Sequence, residues 1–201
     1  MINVDNWTSC EEFLNNTSFN ASSLLDIDWQ IFFFWNWMKE ESYHMRFSVP
    51  TPSLLARFRQ ELDADIKPPV NWSEADLFME SSIDFSALLV KAGHSGLYRL
   101  ISSMAFEYKD IPSPIFAFKV VEPGYLGILN CKFRLCYALA PVDKMPHYDH
   151  LEEAAKTLNF WGEYNRTFVY IKPNPLPPPK DDFQDDDDDQ QVEIMGKMQF
   201  L

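Results

Sequence analysis

Residues 29–49 decide how the chain is read. They run WQIFFFWNWM (29–38), KEES (39–42) and YHMRFSV (43–49). The first run has the length and the aromatic content of a strand. In the second, Tyr43, Met45, Phe47 and Val49 alternate with His44, Arg46 and Ser48. That period of two gathers one apolar face only on a strand. The polar KEES between the runs reads as a loop, so the stretch predicts a β-hairpin. As a regular strand, the first run sets Trp29, Ile31, Phe33, Trp35 and Trp37 on one face. Phe32, Phe34 and Met38 fall on the other, interrupted by Asn36. Both faces are apolar and both need cover. Either the strand is central, or one face presents Trp35 and Trp37 to a partner chain.

Working outward, Thr51 as N-cap and Pro52 at the first helical position open a helix that carries Leu54, Leu55, Phe58 and Leu62. It ends near Asp65, ahead of Pro68 and Pro69. Ser73 with Asp76 predicts a further helix over 73–80. Asp84 caps another, with Phe85, Leu88, Leu89 and Ala92 on one side and Gly93 as its stop. Ser95 starts a fourth, with Leu97, Leu100, Ile101, Met104, Ala105 and Tyr108 at helical spacing. A strand over 115–121, the turn Glu122-Pro123-Gly124-Tyr125 and one long strand over 126–140 form a second hairpin. A helix follows Pro146, and a short strand covers 167–172. Toward the N-terminus, Ser9 and Glu12 fit a capping box for a helix over 10–15, and 17–23 read as loop. The expected fold is therefore α+β. It has two antiparallel hairpins plus a short strand in one sheet, with helices grouped mainly within 51–108. The globular domain spans 1–172.

Residues 173–201 read as a Pro/Asp-rich acidic tail. They hold eight acidic and two basic side chains, a net −6 of the −13 carried by all 201 residues. Asp181, Asp182, Asp185, Asp186, Asp187, Asp188 and Asp189 surround Phe183, a run that repels itself into an extended form and suits a basic protein surface. The same acidity, with a sequence pI near 4.6, argues against direct nucleic-acid binding and against anionic membranes. No apolar run reaches the ~20 residues that span a bilayer.

Catalytic and cofactor motifs are weak. There is no Gly-rich nucleotide loop, and no cofactor is expected. Gly93-His94-Ser95-Gly96 echoes a nucleophile elbow around Ser95, but Leu97 stands where the motif needs glycine. His147 and His150 with Asp149 resemble part of a metal site, yet their i, i+3 spacing at a helix start lacks a third ligand. Lys132 and Arg134 read as a solvated strand face. Cys10, Cys131 and Cys136 form no C-x-x-C pair and are odd in number, so they read as reduced structural thiols. Cys131 and Cys136, five apart on one strand, point to opposite faces.

The first residues lack a basic segment followed by an apolar one, so no secretory signal is read and the expected site is the cytoplasm or nucleus. Six N-x-S/T sequons oppose that reading. They begin at Asn6, Asn15, Asn16, Asn20, Asn71 and Asn165.

Three functions follow. The first is a non-enzymatic interaction or assembly protein, of the kind a virus encodes as a structural or accessory component, with a protein partner or a second copy of itself. The second is an acidic decoy or chaperone for basic proteins such as histones. The third is a small hydrolase or metal enzyme using Ser95, or His147 and His150.

Overall fold

The computed structural model describes residues 6–36, 42–108, 110–162 and 166–167. The expected hairpin is present. Strand β1 (Asp28–Trp35) pairs antiparallel with β2 (His44–Ser48), Asp28 opposite Arg46 and Gln30 opposite His44. Six more strands follow: β3 (Ala75–Ser81), β4 (Ser86–Lys91), β5 (Leu97–Ser102), β6 (Ile115–Val121), β7 (Tyr125–Asn130) and β8 (Cys136–Pro141). Each pairs antiparallel with the next, and β8 returns to β1, Trp29 opposite Pro141 and Trp35 opposite Cys136. The fold is a closed eight-stranded up-and-down barrel, not the open α+β sheet expected from sequence. A ninth strand, β9 (Arg166–Thr167), pairs with Phe33 and Phe34 of β1, beyond the reach of β2.

Three α-helices lie outside the barrel among the described residues: α1 (Cys10–Leu14), α2 (Pro52–Leu62) and α3 (Leu151–Lys156). The first two begin as the sequence specifies. Ser9 and Glu12 form a reciprocal capping box, and the Thr51 hydroxyl accepts from the Leu54 N–H with Pro52 at the first position.

The helices expected over 73–80, 84–92 and 95–108 are strands β3, β4 and β5, each flanked by turns. Their apolar residues run almost unbroken because both faces are covered. Inside the barrel, all eight strands contribute to one cluster, with Met79, Leu89 and Leu100 from these three. Outside, Phe78, Leu88, Val90 and Ile101 meet Phe58 and Leu62 of α2. A second outer layer sets Phe13 of α1 and Leu151, Ala155 and Leu158 against β1 and β6–β8. Such two-sided burial erases the alternation that marks a half-buried strand. The residue run then matches a helical template equally well.

Two details of register also depart from the sequence reading. β1 slips between Ile31 and Phe33, Ile31 facing Leu139 but Phe33 facing Ala138. This bulge turns Phe32, Phe33 and Trp35 to the outer layer and Phe34 inward. The stretch 126–140 is two strands rather than one. Asn130 makes the turn, its Oδ1 accepting from the N–H groups of Lys132 and Phe133, and Arg134 adopts a positive φ of 56°. Lys132 and Arg134 therefore belong to a turn, not to a strand face.

The cysteines are not all reduced. Cys10, the first residue of α1, is disulfide-bonded to Cys131 in the β7–β8 turn, with Cα atoms 5.4 Å apart. α1 crosses the outside of β6 and β7 and carries residue 10 to that turn. Only Cys136 is free, and it is buried on the outer face of β8.

Candidate functional site: the barrel interior

Closure of the barrel gathers the inward-facing side chains of all eight strands into one apolar cluster. Tracing the paired residues once around the strands returns to β1 about a dozen residues from the start. A compact eight-stranded enzyme barrel staggers by only about eight residues and fills its centre with side chains. A larger stagger tilts the strands more. Each strand then takes up more of the circumference, so the same eight enclose a wider lumen.

The end where β1 begins is sealed. The segment 19–27 lies across it, with Leu24 fully buried and Phe19, Ala21, Leu25 and Ile27 resting on the inner cluster. The Trp29 indole Nε1–H donates to the Leu24 carbonyl at 3.2 Å, and Leu25 bridges to Phe47. Beneath the plug, Phe118 meets Phe19, Phe47 and Tyr98 at ring-centroid distances of 5.5–6.2 Å. Tyr98 donates its hydroxyl proton to Asp76, which also ion-pairs with Lys91 at 3.3 Å. Burial, and then that carboxylate, push the phenol well above its ordinary range.

The opposite end is where β1, β3, β5 and β7 finish and β2, β4, β6 and β8 begin. Here Phe34 stacks on Tyr137 with centroids 6.5 Å apart, near Phe85, Phe116 and the flexible side chains of Met45 and Met79. One polar group stands out on this wall. Ser81 pairs directly across the sheet with inward-facing Met45, so it shares the inner face. Its hydroxyl is buried and has no hydrogen-bond partner among the described residues.

The residues singled out from sequence lie elsewhere. Ser95 sits in the β4–β5 turn between two strands, not between a strand and a helix. Its hydroxyl donates to the Phe19 carbonyl at 3.0 Å and accepts from the Phe19 N–H at 3.3 Å, so it latches the plug. His147 is the N-cap of the turn 148–150, and its ring accepts from the Asp149 N–H. His150 pairs with Glu153 on an exposed surface. Among the described residues no three His, Cys, Asp or Glu side chains gather as a metal-binding group. Trp35, paired with Trp37 as a partner-facing face, is instead 4% exposed, covered by Phe33 and Phe160 of the same chain. Trp37 and the whole acidic run, from Asp181 to Asp189 with Phe183, lie outside the described residues. No described helix is long and apolar enough to cross a membrane.

No family model, no curated protein and no solved structure matches the chain. The barrel interior was not legible from sequence, because it exists only once β8 meets β1. Its one local clue was the run 29–38, apolar on both faces.

Proposed function

We propose that this is a binding protein, not a catalyst, and that it holds a small, largely apolar molecule in the half of the barrel away from the plug. The observation that carries this reading is the wide stagger of a closed barrel sealed at one end. The opposite half offers aromatic rings and two adaptable methionines, the lining such ligands favour. The unpartnered Ser81 hydroxyl supports a ligand with one polar group, since a buried hydroxyl without a partner costs about 1–3 kcal/mol. The Cys10–Cys131 disulfide supports an oxidising compartment in place of the intracellular one expected from sequence.

The test is titration of the full chain with N-phenyl-1-naphthylamine, an uncharged fluorescent probe. Saturable binding near one probe per chain is expected, with the site lost in Ile128→Trp, which fills the middle of the lumen. A probe that binds without saturation, or not at all, removes the reading.

The acidic tail supports a second, separable reading as an electrostatic contact for a basic protein. Seven Asp in nine residues favour it. Replacing these Asp by Ser is expected to abolish salt-sensitive binding to a lysine-rich peptide and to leave probe binding unchanged.

A further inference from the structure

We propose that the protein is N-glycosylated at the sealed end of its barrel, on Asn20, on Asn71 and on one of the neighbours Asn15 and Asn16. The first observation is numerical. Six of the chain's 11 asparagines begin an N-x-S/T sequon. Ser and Thr together are 20 of 201 residues, which places only about one such sequon by chance.

The second observation is placement. Every sequon asparagine whose burial is described, at 6, 15, 16, 20 and 71, is exposed. A glycan needs that exposure to be compatible with the folded chain. Four of the five converge. Asn15 and Asn16 follow α1, and residues 14–19 lie over the β4–β5 turn; a Cβ on Gly96 would stand 3.0 Å from Leu14 and 3.3 Å from Phe19. Asn20 caps the plug, and Asn71 caps the turn that leads into β3 at the same end. In both caps the amide oxygen is the engaged atom. Asn20 Oδ1 accepts from Ser22 Oγ at 2.9 Å, and Asn71 Oδ1 from Ser73 Oγ at 2.7 Å. The amide nitrogen, which is the reacting atom, takes no part in either bond.

The third observation is independent of the sequons. The Cys10–Cys131 disulfide belongs to an oxidising compartment. In eukaryotic cells that is also where the transferase acts. Its donor is an oligosaccharide on a polyprenyl pyrophosphate. The asparagine Nδ2 attacks the anomeric carbon, and the C–N bond forms as the sugar–oxygen bond to phosphate breaks. The pyrophosphate leaves with that electron pair, and the nitrogen's proton passes to a base on the transferase. Asn15 and Asn16 are adjacent, so one glycan blocks the other. The result is a collar of sugar around the plug that leaves the opposite rim clear. The proposal does not rest on the ligand reading.

The test uses protein immunopurified from the cells or fluid that produce it, digested with peptide N-glycosidase in heavy-oxygen water. Peptide mass spectrometry is expected to show aspartate carrying one heavy oxygen at 20, at 71 and at only one of 15 and 16. Gel mobility should rise in matching steps on partial digestion. Ser22→Ala and Ser73→Ala, expressed in the same cells, should each lose one step. Plain asparagine at all four positions overturns the proposal, as does conversion in which the Ser→Ala variants keep every step.

Discussion

At the scale of single residues, the two-sided burial leaves titratable groups under cover, and each has a measurable consequence. His44 points outward from β2 yet is 7% exposed. Burial lowers its pKa, with Asp28 opposing that shift. Between the lowered folded value and the ordinary one near 6.5, the unfolded chain binds a proton that the folded chain refuses. Stability therefore falls as pH drops through that window. His44→Gln should shrink the loss of urea midpoint between about pH 7.5 and about pH 5, relative to the parent. An equal loss in both chains would show that His44 is hydrated in solution. Cys136 offers a second reading of the same cover. Burial raises its thiol well above the ordinary range, so little reactive thiolate forms. Maleimide should leave the native protein unlabelled, label one cysteine on unfolding, and label three only after reduction. Fast native labelling would mean that the outer layer over β8 opens readily.

At the scale of elements, what the sequence disclosed was whatever local chemistry alone determines. The capping box at Ser9, the Thr51–Pro52 helix start and the alternating 43–49 run depend on neighbours a few residues away, and all three were read correctly. β4 and β5 depend instead on layers supplied by distant segments, and there the local pattern misled. The bulge in β1 is of the same kind. Nothing in FFF says which ring turns inward until the partner strand fixes the register. Gly127 shows the cost of these layers. It lies on the outer face of β7, where a Cβ would come within 2.7 Å of Phe13 and 2.9 Å of Leu158. The missing side chain lets α1 and the end of α3 both rest on the barrel. Gly127→Ala must displace the Phe13 ring and the Leu158 side chain, and overpacking of this kind costs about 1–3 kcal/mol. A fall in melting temperature is expected, with the barrel's far-ultraviolet spectrum retained. No change would mean that the helices sit looser than these distances imply.

At the scale of the whole molecule, one covalent bond joins the outer layer to the barrel. The Cys10–Cys131 link closes a span of 121 residues that contains β1 through β7. Restricting so long a loop lowers the entropy of the unfolded chain, and removing such bonds typically costs about 2–5 kcal/mol. A second cost acts in the folded state. The bond pins the start of α1, and α1 supplies the partners of Lys119. That buried ammonium donates to the Phe13 carbonyl at 2.9 Å and sits 3.9 Å from the centre of the Phe13 ring. If α1 lifts, Lys119 gains water but the outer layer over β6 and β7 is opened. The two costs separate experimentally. Cys10→Ser with Cys131→Ser should lower the urea midpoint and raise its slope if only the unfolded state is affected, because the unlinked chain exposes more surface. The slope should instead fall if α1 has already detached, because less surface then remains to be exposed. Trypsin cleavage after Lys119, or chymotrypsin cleavage after Phe13, would report the second case directly. A midpoint equal to that of the parent would mean that apolar contacts hold α1 without the disulfide, and that closure of β8 on β1 sets the stability alone.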